Sequence, residues 1–271
     1  MEKLLKEEIT RFVREEPGNR FPNSGQPYFD EPLIGIVSAD DPLFQQYKQI
    51  IGPFHRAPQE MLPTATTVIS WVLPITRTTR ESNRQQTEHP SLQWSQTRSF
   101  GDRFNAQLRR HVVAWLEQHG YHAVAPQLES NWQELSDTPV GIASTWSERH
   151  AAYAAGLGTF SLNDALITPR GIAHRLGSVV TDLKLFCTAT ERPGFRDYCL
   201  YYHNGSCGAC INRCPIKAIS KAGHDKAPCG VYVYGTLTEL LAETYQVPIT
   251  GCGLCQTKVP CEERIPAACL L

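Results

Sequence analysis

The sequence contains no long apolar run and no excess of charge of one sign. No stretch of its 271 residues approaches the roughly 18 uncharged apolar residues that a membrane span requires. Lysine and arginine together number 26, and aspartate and glutamate number 27. Because these charges balance, no global field attracts the chain to nucleic acid or to a membrane. We therefore expect neither as a partner.

Three further absences narrow the class of protein. The first residues, Met1 to Glu8, lack the apolar core of a signal peptide. No Gly-x-Gly-x-x-Gly run follows a predicted strand, so a nicotinamide or flavin site of the Rossmann type has no support. The sequence also has no low-complexity tract and no repeat at solenoid spacing. These features predict a cytoplasmic protein, in which thiols stay reduced and a disulfide framework is not expected.

What the sequence does contain is cysteine, concentrated near its end. Eight of the ten cysteines lie in residues 199–261. One run reads Cys207-Gly-Ala-Cys210-Ile-Asn-Arg-Cys214-Pro215, a ferredoxin-type spacing closed by proline. A two-residue gap lets two thiolates reach adjacent corners of one cubane. The last third of the chain is therefore predicted to hold iron and sulfide.

The remaining ligands come from outside this run, because its first slot is occupied by Asn204. A second run, Cys252-Gly-Leu-Cys255-Gln-Thr-Lys-Val-Pro-Cys261, follows downstream. In two-cluster ferredoxins the last cysteine of one run binds the other cluster. We therefore predict two 4Fe-4S clusters whose ligands cross between the runs. Cluster one would be bound by Cys199, Cys207, Cys210 and Cys261, and cluster two by Cys214, Cys229, Cys252 and Cys255.

Two questions about these cysteines stay open at the level of sequence. Two Cys-x2-Cys pairs can also form a zinc site, although the number of thiols and the Cys-x3-Cys-Pro ending favour cubanes. Cys187 competes with Cys199 for the vacant position in cluster one. Cys269 is predicted to have no ligand role.

Local patterns predict an α/β (α+β) domain before the cysteines. Apolar residues at helical spacing predict helices near residues 2–15, 104–116 and 148–155, with Ser99 and Asp102 as a capping pair for the second. Apolar, β-branched runs predict strands at 33–37, 67–73, 121–124 and 177–180. The proline-containing region between the first two strands is predicted to be a loop.

These patterns divide the chain into two domains. Residues 1–182 would form the α/β domain, which binds a cofactor or substrate. Residues 183–271 would form a small ferredoxin-like domain with the two clusters.

Two parts of the sequence resemble one family. Residues 148–160, which read Glu-Arg-His-Ala-Ala-Tyr-Ala-Ala-Gly-Leu-Gly-Thr-Phe, are followed by Leu166-Ile167 and Gly177-Ser178-Val179-Val180. This segment is similar to the centre of the epoxyqueuosine reductases. The order of the cysteines is also similar to theirs, including the isolated Cys229. The resemblance covers most of residues 60–265.

The resemblance implies a redox role. Epoxyqueuosine reductases, which are relatives of the reductive dehalogenases, use two 4Fe-4S clusters to reduce a cobalamin that acts on an epoxide of tRNA. The likeness thus implies a corrinoid (cobalamin) or another large redox partner facing the clusters. A ferredoxin- or flavodoxin-like protein would supply the electrons.

Three departures set this chain apart from the family. The family's catalytic acid precedes the central helix by a short turn, but residues 141–145 contain no acid, and Asp137 lies too far upstream. The first slot of the first cysteine run is vacant. The sequence ends soon after the last cysteine run, without the helical repeats of many family members. We expect a divergent relative that does not reduce epoxyqueuosine.

Several residues of the central segment are candidates for the reacting site. Glu148, Arg149, His150 and Tyr153 could serve as acid, anion clamp and proton donors. The alternative without a catalytic role is that the charged residues form the solvated face of a helix and that Tyr153 packs against the protein. Gly156 and Gly158 could bring backbone close to a cofactor, but a helix C-cap explains the first almost as well.

Two sequence-based interpretations remain after these residues are weighed. The first is an iron-sulfur oxidoreductase that passes electrons to a corrinoid or a small-molecule substrate in the first domain. The second is a non-catalytic electron-transfer or accessory protein whose first domain docks a redox partner. A basic patch of Arg170, His174 and Arg175 could hold a phosphate or stay solvated.

Overall fold

The structure, a computed structural model, describes residues 1–188 and 192–270. The helices of this part are α1 (Glu2–Glu15), α2 (Pro42–Ile50), α3 (Pro58–Met61), α4 (Arg77–Arg84), α5 (Leu92–Gln118), α6 (Glu148–Ala154), α7 (Leu200–Asn204), α8 (Ala209–Arg213), α9 (Lys226–Gly230) and α10 (Leu237–Tyr245). The strands are β1 (Leu33–Ser38), β2 (Thr67–Pro74), β3 (Ala123–Val124), β4 (Glu134–Leu135), β5 (Ala143–Ser144), β6 (Thr159–Phe160), β7 (Leu166–Ile167), β8 (His174–Thr181), β9 (Ile219–Ser220) and β10 (Gly223–His224).

A four-stranded sheet forms the centre of the first region, in the order β1-β2-β8-β3. All its neighbouring strands are antiparallel, with Ile69 of β2 opposite Ile36 on one side and Val179 on the other. Every residue of β2 is buried. Its apolar and β-branched residues suit a strand whose two faces are both covered.

Helices α1 and α5 cover one face of the sheet. Leu5, Ile9 and Val13 recur at helical spacing on α1 and are fully buried. They pack with Phe104 and Leu108 of α5 and with the odd-numbered residues of β2. This arrangement forms the larger core of the molecule.

Helices α2 and α6 cover the other face. Phe44 and Tyr47 of α2 pack with Trp146 and with the buried alanines of α6. Small side chains on α6 allow its backbone to approach β1, where a Cβ added to Gly35 would lie 2.7 Å from the oxygen of Ala155. Gly35 is thus required by close packing.

The predicted mixture of helices and strands is confirmed, but two local predictions were wrong. Helix α5 begins at Leu92, and its cap is Ser91, whose hydroxyl accepts a hydrogen bond from the Trp94 N–H at 3.1 Å. Ser99 and Asp102 therefore lie inside the helix. Helix α2 occupies part of the predicted loop, since Asp41 caps it and proline is favourable in a first turn. In the part of the chain that the structure describes, no helix is long and apolar enough to cross a membrane.

The cysteine-rich region is built from short elements around a small core. Its helices before α10 have five residues each, and its strands have two. A π-helical segment, Val231–Thr236, joins α9 to α10. Three buried residues of this core, Leu162, Ile167 and Ile172, belong to the segment before β8. The region therefore uses apolar side chains from the first region to complete its core.

Contacts with the first region continue past residue 182. Leu183 is part of the larger core, and Leu185 packs against it. The N–H of Thr188 donates to the oxygen of Ile36 at 3.0 Å. The division at residue 182 stays a prediction, and these contacts favour a later boundary.

Candidate iron-sulfur centres and their surroundings

The four cysteines predicted for cluster one line a single cavity. Cys199, Cys207, Cys210 and Cys261 surround an empty volume of about 370 Å³, part of which is open to solvent. Burial, together with the neighbouring thiolates of Cys199 and Cys207, raises the pKa of Cys210 to about 11. Burial also raises the pKa of Cys261, as do the same neighbours. These mutual effects indicate that the four sulfurs are neighbours.

The four cysteines predicted for cluster two form a second set. Burial raises the pKa of Cys252 to about 11, with smaller contributions from Cys229 and Cys214. The pKa of Cys255 rises through burial and through Cys252 and Cys229. Because Cys210 also acts on Cys255, the two sets adjoin each other.

Helix α8 explains how one cysteine run serves both sets. Cys210 lies within this five-residue helix, and Cys214 is its C-cap. The helix directs the first cysteine toward the cavity and the second toward Cys252. This arrangement agrees with the predicted crossing of the runs, while the iron-binding role of each thiol stays a prediction.

The two cysteines that compete for cluster one have different surroundings. Cys199 is 7% exposed and lines the cavity. Cys187 is exposed, and the next residue, Thr188, is hydrogen-bonded to β1. Cys269 packs against the small core that contains Cys199, and burial and the Cys199 thiolate raise its pKa. The structure thus favours Cys199 over Cys187 and brings Cys269 close to the same cavity.

The spacing of the thiols does not suit a zinc ion. With Zn–S bonds of about 2.3 Å, tetrahedral ligand sulfurs lie about 3.8 Å apart. Within residues 1–188 and 192–270, no group of three or more His, Cys, Asp or Glu side chains could hold a single metal ion. All ten cysteines are free thiols. Four thiols around an open volume, one of them buried and three half-buried, instead suit the larger cubane, so the donor set fits a 4Fe-4S cluster.

Arg213 is a cation fixed between the two cysteine runs. Its Nε donates to the oxygens of Leu254 and Thr257, and one terminal nitrogen donates to the oxygen of Gln86 at 2.7 Å. Its charge also acts on the thiolate of Cys252. A fixed cation beside thiolate ligands favours the more negative, reduced state of a cluster.

Residues of the first region donate hydrogen bonds to the backbone carbonyl groups of three cysteines. Asn83 of α4 donates to the oxygen of Cys252, and Asn163 donates to the oxygen of Cys255. The N–H of Ile172 donates to the oxygen of Cys261 at 2.9 Å. Both candidate centres are therefore positioned by the α/β region.

A buried ion pair strengthens this junction. Glu262, beside Cys261, is 2% exposed, and both its oxygens lie 2.8 Å from Nε of Arg84. Arg80 contacts the same carboxylate at 3.4 Å. Gly171, with φ of +80°, allows the backbone of Glu262 to approach closely.

Glu148, a predicted catalytic residue, has both carboxylate oxygens engaged. One oxygen accepts from Arg109 at 3.0 Å, and the other accepts from the Ser178 hydroxyl at 2.6 Å. The side chain of Arg109 is 3% exposed, so this is a buried ion pair. Trp146 donates to the same hydroxyl at 2.9 Å. These contacts give Glu148 a structural role at the junction of α5, α6 and β8.

Arg149 and His150 are also held by neighbouring groups. Arg149 donates to the backbone oxygen of Asp164 at 2.8 Å. Nδ1 of His150 lies 2.8 Å from the Ser147 hydroxyl, and burial lowers the pKa of His150 to about 3. The imidazole is therefore neutral at pH 7 and lacks the charge of a strong acid.

Tyr153 and the two glycines complete the sequence-based candidates. The Tyr153 hydroxyl donates to the oxygen of Pro193 at 3.2 Å. Gly156, with φ of +74°, ends α6, and the next N–H, of Leu157, donates back to the oxygen of Ala152. A Cβ on Gly158 would lie 2.2 Å from the oxygen of Ile167. Both glycines are explained by backbone packing, and their cofactor-binding role stays a prediction without a supporting contact.

The segment before α6 supplies no replacement acid. Residues 141–145 include β5, and Asp137 is exposed in the preceding loop. Sequence reasoning missed Asn83, Asn163 and Arg213. A signal was available only for Arg213, which lies inside the first cysteine run.

Curated proteins similar to this chain are reductases. A tetrachloroethene reductive dehalogenase of Desulfitobacterium hafniense is 38% identical over 78 residues, which are 28% of this chain and 13% of that protein. The epoxyqueuosine reductase of Synechocystis sp. is 28% identical over 216 residues, or 76% of this chain and 66% of the relative. The chain thus matches less than two thirds of the length of either relative. No family model matches the sequence.

Solved structures of the same two groups share the fold. An epoxyqueuosine reductase of Bacillus subtilis matches 98% of this chain and 68% of its own, with a TM-score of 0.52 and 17% identity. A catabolic reductive dehalogenase matches 87% of this chain and 30% of its own, with a TM-score of 0.54 and 18% identity. The sequence relatives and the shared fold agree with each other. The chain is therefore similar in sequence to an epoxyqueuosine reductase and to reductive dehalogenases, and it shares their fold.

Proposed function

We propose that the protein is an iron-sulfur reductase. Two 4Fe-4S clusters would carry electrons from a ferredoxin- or flavodoxin-like donor to an acceptor bound by the α/β region. The acceptor would be a corrinoid (cobalamin) or a small-molecule substrate. The observation that carries this proposal is the pair of adjoining four-thiol sets anchored to the α/β region.

The thiols themselves are suited to hold the clusters. When bound, each cluster would supply one-electron transfer. Burial keeps Cys210 and Cys252 protonated at neutral pH, so iron must displace their protons on binding. The N–H of Ala218 donates to the sulfur of Cys214 at 3.2 Å, and such a bond lowers the charge density on a ligand.

Support for a corrinoid comes from relatives rather than from this chain's predicted residues. One structural neighbour is a reductive dehalogenase whose structure bears on B12-dependent dehalogenation. In this chain, however, Gly156 and Gly158 pack against backbone and do not line the cysteine-rich cavity. The two glycines therefore give no support for a corrinoid site, and we derive no step through that cofactor.

Epoxyqueuosine itself is not the substrate that we propose. Residues 141–145 offer no acid at the position expected from the family. The nearby Glu148 is engaged by Arg109 and Ser178. A proton donor for the reacting atom would therefore come from elsewhere in the chain or from the substrate.

The test is anaerobic purification and reconstitution of the whole chain, with analysis of iron, sulfide, zinc and cobalt. Two clusters correspond to about eight iron and eight sulfide per chain. Electron paramagnetic resonance of the reduced protein should then show two interacting centres. A visible spectrum taken before and after addition of cobalamin distinguishes the two acceptors.

Each outcome has a defined meaning. Iron and sulfide with a corrinoid response support a cobalamin-dependent reductase, and the same iron without that response supports a substrate reduced by another route. Zinc without sulfide would overturn the proposal.

A second candidate is a non-catalytic electron-transfer or accessory protein that docks a redox partner. The observation in its favour is that Glu148, Arg149 and Tyr153 are all engaged in contacts within the protein. It predicts rapid cluster oxidation by a protein partner and no turnover of small molecules. A small acceptor that oxidises the reduced clusters catalytically would rule it out.

A further inference from the structure

The basic patch of the sequence is divided by the fold, and one of its members lies in unusual surroundings. Arg170 pairs with Asp30 at 3.3 Å, and His174 is buried against the oxygen of Leu166. The Nε of Arg175, by contrast, is buried without a hydrogen-bond partner among the described residues. The residue as a whole is half-buried. A buried N–H donor without a partner is costly, so it calls for a ligand or another explanation.

The position of Arg175 on β8 places it beside one face of α5. Asn105 and Arg109 of α5 both donate to the oxygen of Leu176, the next residue on the strand. Successive side chains of a strand point to opposite faces. Leu176 packs with the core on the α6 side, so Arg175 points toward α5.

Further residues of α5 continue this face toward the start of the helix. Asp102, Arg98 and Ser95 precede Asn105 by three, seven and ten positions, which is the spacing of one helix face. Arg98 lies within reach of Asp102 at 3.2 Å. The charged groups that act on Arg175 are Arg98, which opposes its charge, and Asp102. Asp102, whose side chain is 47% exposed, thus pairs with Arg98, while Arg175 has no ion pair among the described residues.

A segment of the cysteine-rich region closes this site. Ser99 of α5 donates to the oxygen of Ile249, and a Cβ on Gly251 would lie 2.9 Å from the side chain of Arg98. Between these two contacts lies Thr250, which is fully buried and whose hydroxyl has no partner among the described residues. The hydroxyl of Ser95 is in the same state. Hydrogen-bond donors without partners therefore accompany the excess positive charge.

Tyr234 provides the outer wall. This residue of the π-helical segment is 50% exposed, and its ring centroid lies 5.9 Å from the guanidinium carbon of Arg98. A π-helical turn is often retained at a functional site. The segment follows Cys229, a predicted ligand of cluster two, so the site and that centre share one short stretch of chain.

We propose that Arg98 and Arg175, with the hydroxyls of Ser95 and Thr250, bind an oxyanion at the junction of α5, β8 and the π-helical segment. The oxyanion is the phosphate or carboxylate group of a ligand that enters beside Tyr234. Guanidinium groups bind both anions through charge-assisted hydrogen bonds. The inference goes beyond the proposed reductase activity and does not require it, because the site would bind an anion whether or not that ligand is reduced.

The test is calorimetric titration of the anaerobically purified whole chain with inorganic phosphate and, separately, with acetate. Arg175→Gln and Arg98→Gln should each weaken binding by about tenfold or more, the effect of losing one charge-assisted bond. Arg110→Gln is the matched control, since Arg110 is exposed on the same helix. It should bind as the unaltered protein does. The anion bound more tightly identifies the group, phosphate or carboxylate, that the ligand carries.

Stability provides a second readout that a purely structural arginine would not give. Arg175→Met should be at least as stable as the unaltered chain in low-salt buffer, because it removes a buried N–H donor without a partner and a positive charge that is repelled by Arg98. Phosphate should raise the melting temperature of the unaltered chain but not that of Arg175→Met. The proposal is overturned if neither anion binds, if Arg175→Gln binds as tightly as Arg110→Gln, or if Arg175→Met is equally destabilised with and without phosphate. None of these readouts measures reductase turnover, so failure of the proposed function would be seen separately.

Discussion

The α/β region and the cysteine-rich region obtain their stability in different ways. In the first, helices cover both faces of a fully buried strand, and buried charges such as Glu148 and Arg109 are paired. In the second, helices of five residues surround a small core that includes Leu162, Ile167 and Ile172 of the first region. Elements this short do not form stable structure alone. We therefore expect the first region to be stable by its own packing and the second to depend on its clusters.

The largest expected effect tests the cluster ligands, on which the second region depends. Cys199→Ala should convert cluster one to a three-iron or labile form, because it removes one of the four thiols around the cavity. Cys187→Ala should leave iron content unchanged, since this exposed residue lies beside a segment bound to β1. Iron and sulfide analysis with electron paramagnetic resonance measures both.

The control for this experiment is Cys269→Ala, which removes the other cysteine near the cavity. It should also retain full iron content. Intact clusters in Cys199→Ala, together with iron loss in Cys187→Ala, would transfer the ligand role to Cys187. Iron loss only in Cys269→Ala would assign it to that residue.

An intermediate effect is expected from the ion pair of the first region. Glu148→Gln leaves the charge of the buried Arg109 unpaired and should lower the free energy of unfolding by about 3 kcal/mol. Urea unfolding, followed by the fluorescence of the tryptophans packed in this region, measures the change. Iron content should not change, because the pair lies in the region that does not bind the clusters.

Two comparisons make this prediction specific. The exposed pair of Glu7 with Lys3 is the control, and Glu7→Gln should have a small fraction of the effect. The double variant Glu148→Met with Arg109→Met should recover most of the loss, because apolar residues of similar size can replace a buried pair. Unchanged stability in Glu148→Gln would contradict the structural role and return Glu148 to the list of catalytic candidates.

The smallest effect concerns the response of the first region to acid. Burial lowers the pKa of His55 to about 4 and that of His150 to about 3, below the usual 6.5. The unfolded chain thus binds protons more readily than the folded one between about pH 3 and 6.5, so stability falls as the pH falls through this range. Replacing both residues with Gln should flatten that decline. Urea unfolding at several pH values, followed by the near-ultraviolet signal of Trp146, which stacks on His55, measures the slope.

The exposed His119 supplies the control for the acid experiment. His119→Gln should keep the slope of the unaltered chain, because this side chain is exposed and lies outside the buried cluster of His55 and His150. If the double variant also kept that slope, other groups would be responsible for the acid response.

Much of the fold follows from local patterns. The helical spacing of Leu5, Ile9 and Val13 predicts α1 with its observed limits, and the β-branched run of residues 67–73 predicts β2. The start of α5 was missed because Ser91 precedes residues that are polar and only partly periodic. Helix α2 was missed because Pro53, Pro58 and Pro63, which follow it, were taken as signals of a loop between the two strands. Pro42 itself lies in the first turn of α2, where proline is favourable.

In the candidate sites, too, some features follow from local sequence patterns and others do not. The spacing of the cysteines was sufficient to predict two sets of four thiols, since ligands of one cubane recur at fixed short intervals. The roles of Glu148 and Arg175 were not predictable, because their surroundings are set by residues far away in the sequence. Arg109 lies 39 positions from Glu148, yet it engages that carboxylate.

The sequence by itself determined the helices and strands with strong periodicity, the concentration of thiols and the resemblance to one family. Each of these depends on residues that are close together in the chain. Only the tertiary structure decided that Cys199 lines the cavity, that Glu148 is engaged by Arg109, and that the Nε of Arg175 is buried without a partner among the described residues. The physical reason is that burial and pairing of charges depend on which distant segments pack together, and local spacing carries no record of that packing.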